Sequence, residues 1–199
     1  MLVLALLVCY LVGSIPTAFL LVRRTARLDI RTVGSGNVGA TNAARVAGTW
    51  VGLGVFLFDT LKGFLAAAAI ASWLLEDPDR TVRLGCGAAA VLGHNVPVFL
   101  RFHGGKGVAT TIGVLLGTMP GVAAWGLSLW ITVFLVFRYV SIASMALGMA
   151  IPVLQVLARH PFADVLLGAL LGLGMVVRHS GNLTRLSQGT EPRVSFRRR

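Results

Sequence analysis

The first 22 residues, Met1 to Val22, contain no charged side chain. A helix needs roughly 20 apolar residues to cross the hydrocarbon core of a bilayer. Inside that core only helices or closed barrels satisfy every backbone polar group. Similar runs recur along the chain and predict spans at about 2–22, 49–75, 82–100, 108–118, 121–137, 140–158 and 162–178. Only 13% of the 199 residues are charged, about half the share in a soluble domain. The N-terminus has no basic n-region, and no small-residue cleavage site follows a short apolar core. It reads as a first span rather than a signal peptide. The expectation is an all-α integral membrane protein, with one transmembrane domain over 1–199. The basic tail, 186–199, is expected to be loosely ordered past its first few residues.

Segment 108–118 is too short to cross alone. It could join 121–137 as one helix kinked at Pro120, or turn there. Charge decides between the two. With a turn, loops 23–48, 101–107 and 138–139 and the tail from 179 share one side with their flanks. That side holds Arg23, Arg24, Arg27, Arg31, Arg45, Arg101, Lys106, Arg138, Arg178, Arg185, Arg193, Arg197, Arg198 and Arg199. The other holds Arg80, Arg83 and Arg159 together with Glu76, Asp77, Asp79 and Asp164. Fourteen basic residues against three predict a seven-helix bundle, N-terminus outside and C-terminus in the cytoplasm. The net charge of +11 is thus a sidedness signal. No aromatic-interleaved basic stripe accompanies it, so nucleic acid is not an expected partner. Cys9 and Cys86 lie in apolar runs with no CxxC pairing, and are expected to be inert core thiols.

The loops on the cytoplasmic side carry the unusual chemistry. "GSGNVGATNAAR", Gly34 to Arg45, holds three glycines and no acid. Gly34 and Gly36 let backbone N–H groups turn toward an anion. Ser35, Thr41 and Asn42 add side-chain donors. If "TNAARVAG" opens a helix, its N-terminal dipole favours a phosphate, and Arg45 suits a bidentate contact with an oxyanion. An ordinary flexible loop with an N-cap is the plain alternative.

"GHNVPVFLRFHGGKGVATT", Gly93 to Thr111, sets Lys106 among Gly104, Gly105 and Gly107 just before a helix. It is not a nucleotide P-loop: that pattern needs glycine where Leu100 stands and Ser or Thr where Gly107 stands. A phosphate cradle without a nucleotide is the reading. His94 and Asn95 are polar residues inside a span, expensive unless satisfied or functional. A satisfied buried histidine is the commoner case for His94. Ser141 and Ser144 of "RYVSIAS" share a helix face, and helix packing is again the commoner cause. In "RHSGNLTRLSQGTE", His179, Asn182 and Arg185 recur every three residues. His179 is a candidate proton handler, or this is an interfacial helix end with snorkelling arginines. Asp59 and Lys62 of "FDTLKG" sit i, i+3 inside the second span, where an ion pair is expected.

This inventory is donor-rich and cationic. It lacks a carboxylate pair for glycoside-type chemistry and a GxSxG elbow. It also lacks the HxxxxD pattern of thioester-using acyltransferases, since Phe99, Val108, Val165 and Thr184 follow the four histidines at that distance. Two classes fit: a membrane enzyme joining a phosphorylated substrate to a lipid, or a carrier or channel for small phosphorylated anions. A carrier would show repeated halves and broken helices near the midplane. Here the polar elements gather at one interface, which favours the enzyme.

The blocks "GSIPTAFL", "DIRTVGSGNVGATNAAR", "FDTLKG", "GHNVPVFLRFHGGKGVAT", "RYVSIAS" and "RHSGNLTRLSQGTE" resemble, in order, the bacterial acyl-phosphate:glycerol-3-phosphate acyltransferase family. The resemblance implies an inner-membrane, multi-pass enzyme of phospholipid synthesis with a seven-helix bundle and a cytoplasmic active site. It implies transfer of a fatty acyl group from acyl phosphate to the 1-hydroxyl of glycerol 3-phosphate, giving lysophosphatidic acid and inorganic phosphate. No cofactor, metal or obligate protein partner is implied. The residues carried over are Ser35, Arg45, Lys106, Ser144, His179 and Asn182. Ser35, Lys106 and His179 are expected to be catalytic. Gly34, Gly36, Asn37, Thr41, Asn42, Arg45, His94, Gly104, Gly105, Gly107, Ser141, Ser144 and Asn182 are expected to bind substrate.

Overall fold

The computed structural model describes residues 1–195, and helices form the whole of its regular structure. The described chain forms two compact units, Met1–Met119 and a second beginning at Pro120. Arg197, Arg198 and Arg199, counted above for sidedness, lie outside the described residues, as does the end of the basic tail.

In the first unit the expected opening span is present as Leu2–Ala26, but its helix is interrupted. α1 covers Leu2–Ser14 and α2 covers Thr17–Ala26. Pro16 has no N–H to donate and pushes the residue before it out of helical geometry. Ile15 accordingly has ψ 118°. The freed Ile15 carbonyl accepts from Thr17 N–H at 3.0 Å and from Lys62 Nζ at 3.3 Å. The sequence reading ran one helix across this break because apolarity alone does not register it. Next comes α3, Ala40–Ala47, and then α4, Thr49–Leu74, which widens to π-helical turns over Ala66–Ile70. α5 covers Arg80–Asn95 and α6 covers Val108–Thr118. Asp79 caps α5 by accepting from Val82 N–H at 2.8 Å, a cap worth about 1 kcal/mol.

α1 packs on α5 and α4 on α6. Close approach here depends on small residues, as in membrane helix pairs generally. A methyl at Gly13 would strike the Ala90 carbonyl, and one at Gly93 would strike the Tyr10 carbonyl. Arg83 joins two places where helix hydrogen bonding lapses. Its Nε donates to the Ala67 carbonyl in the π-helical stretch at 3.0 Å, and its Nη2 to the Gly117 carbonyl at the end of α6 at 2.7 Å. Cys9 and Cys86 belong to one buried cluster with Ala5, Ala66, Ala71 and Ala90, and Cys9 Sγ donates to the Ala66 carbonyl at 3.6 Å.

In the second unit α7 covers Pro120–Phe137, α8 Val140–Leu157, α9 Phe162–Arg178 and α10 Ser180–Ser187. Helix α6 ends at Thr118 and α7 begins at Pro120, so the chain breaks where Pro120 predicts a turn. α8 and α9 approach so closely that a methyl on Gly172 would strike the Gly148 carbonyl. Their turn is tied by Gln155 Nε2 donating to the Asp164 carbonyl at 3.1 Å.

Four described spans are long and apolar enough to cross a membrane: Leu2–Ala26, Thr49–Leu74, Pro120–Phe137 and Val140–Leu157. The bent pair Phe162–Arg178 and Ser180–Ser187 makes a fifth if taken as one. Large apolar side chains stand on the outside, among them Leu57, Leu135, Val156 and Leu173. Trp50 and Trp73, near opposite ends of α4, are 84% and 82% exposed, as expected for rings anchored at bilayer interfaces.

Candidate functional site

The site is built from two loops of the first unit. The loop before α3 begins with an exposed pair, Asp29 and Arg31. The Arg31 side chain and backbone N–H both bond the Asp29 carboxylate, and these contacts hold its pKa down at about 2. From there the chain wraps around Asn42, which is 1% exposed. Asn42 Oδ1 accepts from Ser35 N–H at 2.9 Å. Its Nδ2 donates to the carbonyls of Ile30, Val33 and Asn37 at 3.2, 3.1 and 3.1 Å. Gly34, at φ 62°, leaves the space this carboxamide fills; a methyl there would strike Asn42 Oδ1. Asn42 is the pin that shapes the loop. What the loop offers outward is Ser35, Thr41 and Arg45, all exposed. Thr41 and Arg45 lie i, i+4 on α3 and so share a face. Asn37 and Gly36 are half-buried between them and the core.

The second loop follows α5. The chain turns through Arg101 and Phe102, both left-handed at φ 52° and 65°, and reaches the glycines. Gly105 N–H donates to the His94 carbonyl at 3.1 Å. A methyl on Gly104 would strike that same carbonyl, and a methyl on Gly105 would strike His94 Nε2. The same Gly105 methyl would come within 2.6 Å of the Val38 carbonyl. The two glycine loops, 67 residues apart at Val38 and Gly105, are therefore in direct contact. Gly107 adopts φ 78° and closes over the Asn95 carboxamide. Gly105 and Gly107 are buried and Lys106 between them is half-buried. That burial comes from the floor that His94, Asn95 and Val38 supply.

His94 is 9% exposed. Its Nδ1 lies 2.9 Å from Lys62 Nζ, and Lys62 pairs with Asp59 at 2.8 Å. The predicted Asp59–Lys62 ion pair is present, and it extends to His94. Asn95 was noted in the sequence only as a polar residue in a span. Its Oδ1 is buried without a hydrogen-bond partner beneath Gly107. The signal for it was its position directly after His94 in a run that leads into the glycine loop.

The second unit holds the remaining candidates. Ser144 Oγ accepts from Trp130 Nε1 at 3.2 Å and donates to the Val140 carbonyl at 2.8 Å. Ser141 Oγ and Asn182 Nδ2 donate to Glu191 Oε1 at 2.8 and 2.6 Å, and Arg185 Nε donates to Glu191 Oε2 at 2.8 Å. Burial raises the Glu191 pKa, but the donors Asn182, Ser141 and Arg185 outweigh it and leave the carboxyl below its usual range. Glu191 was not singled out in the sequence, and it is the hub that gathers Ser141, Asn182 and Arg185. His179 is 3% exposed, with Nδ1 at 2.8 Å from the Met175 carbonyl. A carbonyl can only accept, so Nδ1 carries a proton and donates it to Met175.

The first unit thus presents glycine-rich backbone, two hydroxyls, a guanidinium and an ammonium around one pair of touching loops. These are groups that bind tetrahedral oxyanions. Comparison with known proteins agrees with this chemistry. The sequence profile described as Glycerol-3-phosphate acyltransferase matches residues 3–189. The glycerol-3-phosphate acyltransferase of Thermus thermophilus is 45% identical over 197 residues, covering 96% of this chain and 94% of its own. That of Gloeobacter violaceus is 43% identical over 191 residues, covering 93% and 91%. Two crystal structures of PlsY, described as an integral membrane glycerol 3-phosphate acyltransferase, superpose closely. The glycerol 3-phosphate form gives a TM-score of 0.89 at 37% identity, over 98% of this chain and 96% of that one. The lysophosphatidic acid form gives 0.85 at 36% identity, over 98% and 95%. Fold, loop chemistry and sequence agree, and the chain belongs to the glycerol-3-phosphate acyltransferase family of integral membrane proteins.

Proposed function

We propose that the chain transfers a fatty acyl group from acyl phosphate to the 1-hydroxyl of sn-glycerol 3-phosphate, in the inner membrane of a bacterium. The products are lysophosphatidic acid and inorganic phosphate. The observation that carries this reading is the contact of Gly105 with the Val38 carbonyl, which sets Lys106 and the Ser35–Arg45 loop in one neighbourhood. Family membership narrows the phosphorylated substrate to glycerol 3-phosphate, the ligand that the PlsY structure carries in its description.

An acyl phosphate is a mixed anhydride, so its phosphate is already a good leaving group. Catalysis then needs positioning and charge stabilisation more than covalent participation. The glycerol hydroxyl oxygen attacks the acyl carbonyl carbon directly. The new C–O ester bond forms, the acyl–phosphate C–O bond breaks, and phosphate departs with the electron pair. Ser35 and Arg45 hold phosphate oxygens, and Lys106 offsets the charge that grows on the leaving group. The hydroxyl proton passes to a phosphate oxygen of a bound substrate. Thr41 and the glycine N–H groups complete the anion contacts. The same reading takes seven spans, the N-terminus periplasmic and the C-terminus cytoplasmic, so that both loops face the cytosolic pool of phosphorylated substrates.

The test mixes purified protein with palmitoyl phosphate and glycerol 3-phosphate and follows both products. Equimolar lysophosphatidic acid and phosphate, dependent on both substrates, is the expected result. Uptake of labelled glycerol 3-phosphate into proteoliposomes without acylation would overturn it in favour of a carrier. A trapped acyl-serine at Ser35 would overturn direct attack.

A further inference from the structure

We infer that Asp59, Lys62 and His94 form a buried positioning relay that holds the Gly104–Gly107 loop in its anion-binding shape. This rests on the function proposed above but assigns these three side chains to the loop rather than to a ligand. Asp59 and Lys62 are 2% and 6% exposed, deep in α4. A buried ion pair contributes little net stability, since desolvation offsets much of its attraction. Its persistence asks for another reason, and His94 provides one.

Lys62 Nζ has only hydrogens to offer, so at 2.9 Å from His94 Nδ1 it is the donor and Nδ1 the acceptor. The neutral imidazole then carries its proton on Nε2. That nitrogen abuts Gly105, where a methyl group could not fit. The main chain of the same residue accepts from the loop, with Gly105 N–H donating to the His94 carbonyl at 3.1 Å. His94 therefore touches Gly105 from two directions. Asp59 Oδ1 lies 2.8 Å from Lys62 Nζ and 3.7 Å from His94 Nδ1. Asp59 holds the ammonium against the ring, and the trio is neutral as a whole. The fourth contact ties the relay to the helix break, since Lys62 Nζ also donates to the Ile15 carbonyl at 3.3 Å. A small cavity lined by Ser14, Val38, Asp59, His94, Pro97 and Gly104 lies alongside. It joins the relay to both glycine loops. Without Lys62 as donor, the ring would be free to take the other tautomer or turn, and Gly105 would lose its floor.

The experiment compares His94→Leu, His94→Gln and the double variant Asp59→Asn with Lys62→Met. Glutamine can accept from Lys62 through Oε1 while presenting an N–H to the loop; leucine can do neither. The double variant removes both charges together and leaves no orphan ion. Two readouts are taken on protein in detergent: KM and kcat for each substrate, and amide hydrogen exchange over residues 103–111. His94→Leu and the double variant should raise KM for glycerol 3-phosphate at least about tenfold with a smaller change in kcat, and His94→Gln should stay within about threefold. Exchange over the loop should quicken in the first two and stay near wild type in His94→Gln. Unchanged exchange in both His94→Leu and the double variant would overturn the relay. So would a His94→Gln protein as impaired as His94→Leu. Exchange needs no turnover, so an inactive wild type would defeat the proposed reaction and leave the relay decided on its own. Should His94→Leu fail to fold, the double variant and His94→Gln decide the matter.

Discussion

Asn182 donates from Nδ2 to Glu191 Oε1 over 2.6 Å, the shortest of three hydrogen bonds that converge on that carboxylate. Ser141 and Arg185 supply the others. Glu191→Ala would leave three donors without their acceptor in a part-buried place. Each such loss costs about 1–3 kcal/mol, and the solvent near Arg185, 38% exposed, will relieve part of it. The expected outcome is a thermal midpoint lower by several degrees in detergent, with Glu191→Gln intermediate because it keeps one acceptor oxygen.

The same carboxylate predicts a pH response. Burial opposes its ionisation, but its three donors more than compensate, so its folded pKa is depressed. A depressed carboxylate stabilises the fold above its unfolded pKa, about 4.3 for Glu. That contribution is lost as pH falls through the folded value. Melting of the wild type should therefore weaken below about pH 4.3, and Glu191→Gln should remove that part of the acid sensitivity. Parallel acid profiles for the two proteins would show the carboxylate to be energetically idle.

Asn42 invites a sharper substitution. Its carboxamide accepts once and donates three times to backbone groups of its own loop. Asn42→Asp keeps the acceptor but turns a second oxygen toward the three carbonyls that need a donor. Asn42→Ala merely removes the bonds. Both should raise KM for glycerol 3-phosphate by misplacing Ser35, and Asp should be the more destabilising of the two, by about 1–3 kcal/mol relative to wild type or more. Melting curves and steady-state kinetics on the pair check the order.

The apolar runs that end in loops were legible: helices occupy 49–74, 120–137, 140–157 and 162–178, within a residue or two of expectation. Hydropathy reports what lipid demands of each segment, and that demand is local. The Pro16 break was not read because the flanking residues are equally apolar on both sides. The polar residues were found but their partners were not. Asn42, Ser141 and Asn182 look the same in sequence whether they bond a substrate, a backbone carbonyl or the Glu191 carboxylate. Glu191 escaped notice because an acid near a basic terminus looks like surface. The shared cluster of Cys9 and Cys86 and the Val38–Gly105 contact depend on how helices far apart in the chain come together, which no local pattern encodes.

Arg45 stands exposed on α3, one turn beyond Thr41, with no packing role to lose. Arg45→Lys should leave the melting midpoint unchanged, since exposed substitutions away from special features stay within about 0.5 kcal/mol. It should raise KM for glycerol 3-phosphate about tenfold, because an ammonium cannot reproduce a guanidinium's two parallel N–H donors. Equal kinetics for the two proteins would show that Arg45 acts as a point charge or not at all.

Lys106 tests the chemistry itself. It stands half-buried between the buried Gly105 and Gly107, and the Gly105 N–H bond to the His94 carbonyl anchors the backbone beside it. Lys106→Ala should therefore fold like wild type, while kcat/KM falls about 10²-fold or more, the scale for removing one preorganised charge contact from a developing anion. If Lys106 acts on the departing phosphate, kcat should carry most of the loss and KM for glycerol 3-phosphate little. If it grips the acceptor's phosphate, the split reverses. Lys106→Arg distinguishes a further point: it keeps the charge but replaces a compact ammonium by a broad planar guanidinium, and so should recover little. Full activity in Lys106→Ala would remove the ammonium from the mechanism and leave the glycine N–H groups and Arg45 to hold the phosphate alone.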